Sequence, residues 1–483
     1  MTLNPFTLKE LRQLTRSKTI ASSLVGFLCA CLAVCYAVPA FNAGIDQSTG
    51  AVVFAFINAI LMIVCAIVIP CNVFARIDKE RGGSKRAVDF TLLTALAPAE
   101  IIDGKLRGAF ALIVLFSTAA LPFGVFSYLL HGISFASIFT TLATTATIAV
   151  FASHAALALG VLRIGHRLRV FVFVVVLVLG GAMLLPALAF EGVWIVGSSS
   201  FSLLKFIAIA LTVSCILRGF AIASFSPVVM ERDRPLRVAV LFAFIGWGAY
   251  VVSLVFLPGF KVYSWIAVAS DYLCAFAACA VLLALGASAQ EEGYSRRMVA
   301  GRPKTRLKRF LAWPFGTGAA NGMFFAAALA FVVAVAWPLA KPLVDGYCIG
   351  HKVLDAHGMI YKVEFEYAFA TVLMYVFSVI LLVRFLWYVV TRKVRISPML
   401  VPLAAVALFA FFQSIPAIRA IALAADWPDY FFDMPFCVLK INRHPLMHLC
   451  YAGCAFALGA VLNAIVWWRS RARTADAQVG CRK

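Results

Sequence analysis

Acidic residues are scarce in this chain: 21 Asp and Glu stand against 42 Lys and Arg, and charged residues of both signs fill only 13% of 483 positions. An ordinary soluble domain carries roughly a quarter charged residues, so a soluble fold of this size is excluded. The chain also lacks any Cys-x-x-Cys pair, which removes the common zinc-ribbon and dithiol readings. It has no GxxxxGK[ST] loop, and "GGSKR" at 82–86 lacks the spacing to cradle a phosphate. The chain itself is therefore expected to bind no nucleotide, cofactor or metal. No cleavage site follows the first apolar run, so that run reads as a first membrane helix rather than a removed leader.

What the chain has in excess is apolar surface, with 63% hydrophobic residues and a mean hydropathy of +0.97. The reading is an all-α polytopic membrane protein. A span needs about twenty apolar residues, and about twelve such runs occur: 20–41, 51–75, 106–130, 134–162, 168–190, 201–226, 236–258, 264–288, 319–340, 365–390, 399–425 and 447–468. The least distinct boundary is "LLHGIS" near 129–134. Odd-numbered turns such as "NAGIDQSTG", "HGIS" and "EGVWIVGSSS" carry no Lys or Arg, whereas "RIGHRLR", "ERDRPLR", "TRKVRIS" and the segments 76–107 and 291–309 are basic. That bias places both termini in the cytoplasm and explains the net charge of +21 without nucleic acid. Most of the 13 cysteines lie within spans as small apolar residues. Cys348 and Cys437 instead sit in two long external loops, where an oxidising compartment would permit a disulfide between them.

One polar stretch stands out in the first half: "KERGGSKRAVDFTLLTALAPAEIIDGKL", residues 79–106. It divides into a charged turn with a glycine pair, a short apolar segment fit for the membrane surface, and a restarted helix. In that helix Pro98 is tolerated in the first turn and Glu100 favours the positive helix end. On composition alone this reads first as an amphipathic connector. The order of its parts resembles the cytoplasmic loop of ABC-2-type transporter permeases. There a Glu-Arg pair ending the second span leads to Leu-Leu-Thr, Pro and Glu-Ile, and then to Gly-Lys-Leu opening the third. The matching residues are Glu80, Arg81, Leu92, Leu93, Thr94, Leu96, Pro98, Glu100, Ile101, Gly104, Lys105 and Leu106.

"NPFTLKELRQLTRSK" at the start is similar to the family's opening Asn-Pro and Lys-Glu-Leu-Arg run, an amphipathic interfacial helix. Its Leu8, Leu11 and Leu14 are expected to face lipid, with Lys9, Arg12 and Arg16 toward headgroups beside Glu10. "SPVVMERDRPLR" resembles a turn of long bacterial members. "GGSKRAVD", which includes Asp89, departs from the usual compact Gly-Thr-Leu-Asp run. The resemblance spans roughly residues 4–240.

The resemblance implies a permease subunit of a bacterial inner-membrane ABC exporter, whose loop at 76–105 docks on a separate ATPase subunit that carries ATP and Mg. It also implies paired halves: a homodimer, a sister permease, or both halves of this chain. The expected domains are an interfacial helix at 1–19, a permease domain at 20–235, a second membrane domain at 236–468 that reads as a degenerate permease half or as additional spans, and a tail at 469–483.

Rival motifs weigh less. "EEGYSR" at 291–296 has a membrane-protease spelling but lies on a basic loop. "HPLMH" at 444–448 lacks the acid of a zinc helix and holds Pro445, and "DKERGGSKR" only approximates the major-facilitator loop. The alternative function is an ion-gradient-driven carrier of about twelve spans. Charges inside spans carry that alternative. Asp271 and Arg419 lie at similar depth and form a candidate ion pair. Lys205, Arg218 and Arg384 read as snorkelling to headgroups. His154 reads as a packing hydrogen bond or a proton carrier.

Overall fold

The computed structural model describes residues 5–41, 49–82, 97–162, 166–178, 200–226, 233–254, 262–288, 305, 307, 315, 318, 321–333, 365–390, 401–402, 404–408 and 450–466. Every regular element among the described residues is helical. The chain divides into two compact units, Met1–Pro227 and Val228–Lys483. Seven helical segments are long and apolar enough to cross a membrane: Lys18–Ala40, Thr49–Lys79, Pro98–Leu129, Phe135–Gly160, Leu204–Phe225, Arg234–Leu254 and Val372–Val390. They mark a membrane-embedded protein. The other five expected spans are described in part, as helix at 166–178, 401–402 and 404–408 and as the shorter apolar helices Tyr272–Ser288, Asn321–Val333 and Cys450–Val466.

In the first unit a short helix α1 (Pro5–Thr15) precedes α2 (Lys18–Phe41) and α3 (Thr49–Ile63). A single π-turn, Val64–Val68, joins α3 to α4 (Ile69–Gly82) without breaking the rod. Its closing bond runs from Ile69 N–H to Val64 C=O, five residues back. Pro70 follows at once, and a wider turn relieves the clash of its ring with the carbonyl four residues behind. Ile57, Leu61, Cys65, Ile69, Val73 and Ile77 are all buried in one core. A strict spacing of four would drift off one face of a regular helix by about 40° per step; the extra residue in the π-turn takes out about 100° of that drift.

Next come α5 (Pro98–Leu129), α6 (Phe135–Gly160), α7 (166–178) and α8 (Ser200–Phe225). The helix α5 starts eight residues before the apolar run begins, because Glu100 accepts a hydrogen bond from Ala97 N–H at 3.1 Å and Pro98 occupies the first turn. Ala97 has no side-chain oxygen, so the reciprocal half of a capping box is missing. The break between α5 and α6 is a tight turn with His131 at φ 66 and Gly132 at φ 88, after which Ser134 caps α6 by accepting from Ser137 N–H. Gly50 at the start of α3 meets the carbonyls of Ser127 and His131 so closely that no side chain fits there.

Small residues on α6, among them Ala149, Ala156 and Gly160, let it pack tightly on α4 and α8. Between helices, Thr145 donates to Asn58 at 3.0 Å, and the rings of Phe74 and Phe173 stack at 4.0 Å. Outward faces stay apolar: Tyr36 is 81% exposed and Leu32 60%. Such a surface suits lipid contact.

The second unit contains α9 (Arg234–Leu254), α10 (Val262–Ser288), α11 (Asn321–Val333), α12 (Phe365–Val390) and α13 (Cys450–Val466). The helix α10 packs on both α9 and α12. Tyr272 donates to Phe244 C=O at 2.8 Å, within a ring cluster with Phe276. On α13, Asn463 donates across to Leu381 C=O of α12 at 2.8 Å.

Candidate functional site

The sequence of α1 sets Thr7, Glu10, Leu11 and Leu14 on one stripe, and the structure turns that stripe onto α5. Thr7, Glu10 and Leu14 are buried and Leu11 packs against the core, whereas Leu8, Lys9, Arg12 and Arg16 are exposed. Leu14 therefore does not face lipid as its spacing suggested. Its methyl lies where a Cβ on Gly108 would sit, 3.0 Å away, so the missing side chain at 108 makes the seat.

The reason for the rotation is Glu10, an acid that must be paired to be buried. Its two oxygens meet Lys105 Nζ at 3.1 Å and Arg76 Nη1 at 3.3 Å. Lys105 and Glu10 are only 4% and 3% exposed. A hollow of about 10 Å³ beside them, lined by Asn72, Arg76 and Gly108 among others, matches the space of a single water.

Two further acids pair across helices at the same end. Asp78 near the end of α4 accepts from Arg169 Nε at 2.9 Å, lies 2.9 Å from His166 Nδ1, and Arg169 also donates to Leu162 C=O. Asp103 in the second turn of α5 accepts both Nε and Nη2 of Arg218 at 2.6 Å, a planar two-bond fit that only guanidinium makes. Arg218 thus does not snorkel outward; its acid lies on the neighbouring helix.

Beside that pair opens a cleft of about 370 Å³ between α5, α6 and α8, lined by Asp103, Arg107, Phe110, Ile113, His154 and Arg218 among others. His154 donates from Nδ1 to Val150 C=O on its own helix at 2.8 Å, so this bond does not tie two helices together.

In the second unit Arg384, expected to snorkel, is buried and donates to Ala287 C=O and Ser288 C=O at 3.2 and 3.1 Å. These carbonyls end α10 and lack helical partners, so the cation caps that helix.

Of the residues expected to couple to a partner, Pro98 is buried at the start of α5 and Glu100 is exposed two residues on, in the same turn. Glu80 and Arg81 lie in the last turn of α4, with side chains outside the described residues. Asp89, Leu92, Leu93, Thr94 and Leu96 lie outside them, as do Arg419, Cys348, Cys437, the "EEGYSR" and "HPLMH" segments and the side chain of Asp271. Among the described residues no three His, Cys, Asp or Glu side chains are grouped to hold a metal.

Reasoning from sequence missed all three acid–base contacts around Glu10, Asp78 and Asp103. One signal was present: Asp78 and Asp103 each lie three residues beyond a predicted span end, in a chain with few acids. No known protein family, curated protein or solved structure gives a match to this chain.

Proposed function

We propose that the chain is the membrane subunit of an ABC-2-type exporter. In this reading it has about twelve spans with both termini in the cytoplasm of a bacterial inner membrane. A separate ATPase subunit supplies the hydrolysis of ATP with Mg. The observation that carries the proposal is the clamp of Glu10 on both Arg76 and Lys105. These two cations flank the stretch that resembles a coupling loop, one on the helix entering it and one on the helix leaving it. A push on such a loop would be delivered to both flanking helices and to α1 together, and on through Asp78–Arg169 and Asp103–Arg218 to α7 and α8. Packed, bonded helices move as bodies, which is what coupling ATP closure to a substrate path requires. The second permease half would come from another copy, a sister chain or residues 236–468.

The test is co-purification of the tagged protein with the products of neighbouring genes, wild type against Glu80→Ala/Leu93→Asp. An ATPase recovered with wild type and lost from the variant supports the reading. No ATPase after mild crosslinking overturns it. The rival reading, an ion-gradient-driven carrier, draws its support from His154 beside Asp103 and Arg218 in a cleft at span depth. It requires substrate movement in vesicles driven by a pH gradient without ATP.

A further inference from the structure

We propose that the cleft between α5, α6 and α8 is a binding site for an anionic phospholipid whose headgroup carries a free hydroxyl. This holds whichever way transport is driven. Asp103, His154 and Arg218 each lie within roughly two turns of the end of their helix, which sets all three at one level near the same end of the bundle. Above this polar floor the wall is apolar and follows α5 from Leu106 through Phe110 to Ile113, with Val150 opposite. That wall runs on the order of 10 Å further along the helix, a length that an acyl chain fills and a small soluble anion does not. Phe110 is 58% exposed on the outside of the bundle, so what first reaches the cleft is lipid.

The polar groups select the head. Asp103 occupies Nε and Nη2 of Arg218 through two bonds, which leaves Nη1 of the guanidinium directed away from it. Arg107, exposed beside it, adds a second cation; its long 3.5 Å contact with Thr7 is a weak one. Two cations against one acid give the cleft a net positive charge, complementary to a phosphodiester. His154 Nδ1–H is committed to Val150 C=O, so Nε2 of the neutral ring offers a lone pair, and a lone pair needs a donor. A phosphate ester bearing a hydroxyl supplies both an anion for the arginines and an O–H for the ring. A choline headgroup supplies no donor and brings a cation.

The experiment uses the full chain in nanodiscs with phosphatidylglycerol carrying a diazirine in its acyl chain, followed by peptide mapping. Adducts are expected on 106–113 and 150–154. Arg107→Gln, at an exposed position that leaves the Asp103–Arg218 pair intact, is expected to lower the adduct yield about fivefold, while Lys18→Gln changes nothing. Val150→Trp, which fills the apolar wall, is expected to abolish labelling there; should it fail to fold, Arg107→Gln carries the test alone. Equal labelling by a phosphatidylcholine probe overturns the proposal. So does displacement of the probe by soluble glycerol phosphate, which would mark a free-anion site. Crosslinks from a diazirine placed at Phe110 to residues 83–96 of the same chain, with lipid labelling absent, would show that the protein fills its own cleft and would also overturn it.

Discussion

The two units partner their charges by different means. In the first, an acid and a base meet across helices that are far apart in the chain: Glu10 with Lys105, Asp78 with Arg169, Asp103 with Arg218. In the second, the buried cation Arg237 meets Asp233, four residues back and just before its own helix, and the buried Arg384 meets a pair of backbone carbonyls at the end of α10. Cross-helix ion pairs couple the position of one element to another and fail together. Arg384 also ties two helices distant in the chain, α12 to the end of α10, but through uncharged carbonyls, so its removal leaves no opposite charge behind. Cutting one side chain of a pair in the first unit therefore strands a charge, whereas cutting Arg384 in the second loses hydrogen bonds alone.

The largest effect should come from cutting the central pair. Glu10→Ala leaves Lys105 buried without its acid, a cost of about 3–5 kcal/mol, read as a lower midpoint of thermal unfolding in detergent and as early cleavage between α1 and α2. Glu10→Leu/Lys105→Met removes both charges and should recover most of that loss, because a packed apolar pair replaces a buried ionic one with little penalty. A wild-type midpoint for Glu10→Ala would mean that the cross-helix wiring is not structural.

A smaller effect is expected in the second unit. Arg384→Met should cost about 2 kcal/mol, since two bonds to buried carbonyls are lost but no unpaired charge is left behind. Unfolding of the same preparation checks it, and a cost above that of Glu10→Ala would reverse the contrast. The smallest change should be Glu100→Ala, about 0.5–1 kcal/mol, confined to faster amide exchange in the first turn of α5.

How much of this was legible depended on range. The start of α5 could be read, because Pro98 and Glu100 act within one turn of each other. The position of α2, α6 and α8 followed from apolar runs alone. The orientation of α1 could not be read: leucines at 8, 11 and 14 suggested one face, yet the buried stripe is 7, 10 and 14, offset by a fraction of a turn. What rotates it is Glu10, whose partners stand 66 and 95 residues away. Local pattern ranks an acid as solvent-facing and cannot see a distant cation. The same blindness made Arg218 and Arg384 look like snorkelling side chains. The cleft was hidden for a different reason, since it is a property of three helix surfaces meeting and no single run contains it.

The π-turn at Val64–Val68 has a consequence for how this span tolerates change in length. It acts as a phase shifter: everything beyond it sits one residue out of step with everything before. Loss of any one codon there would leave an equally apolar rod that any hydropathy scan would pass. Arg76 and Asp78 would nevertheless be turned about 100° from Glu10 and Arg169. In this span the reading frame of the helix matters as much as its composition, and a gene with one codon fewer would encode a membrane helix whose charged end has lost its partners.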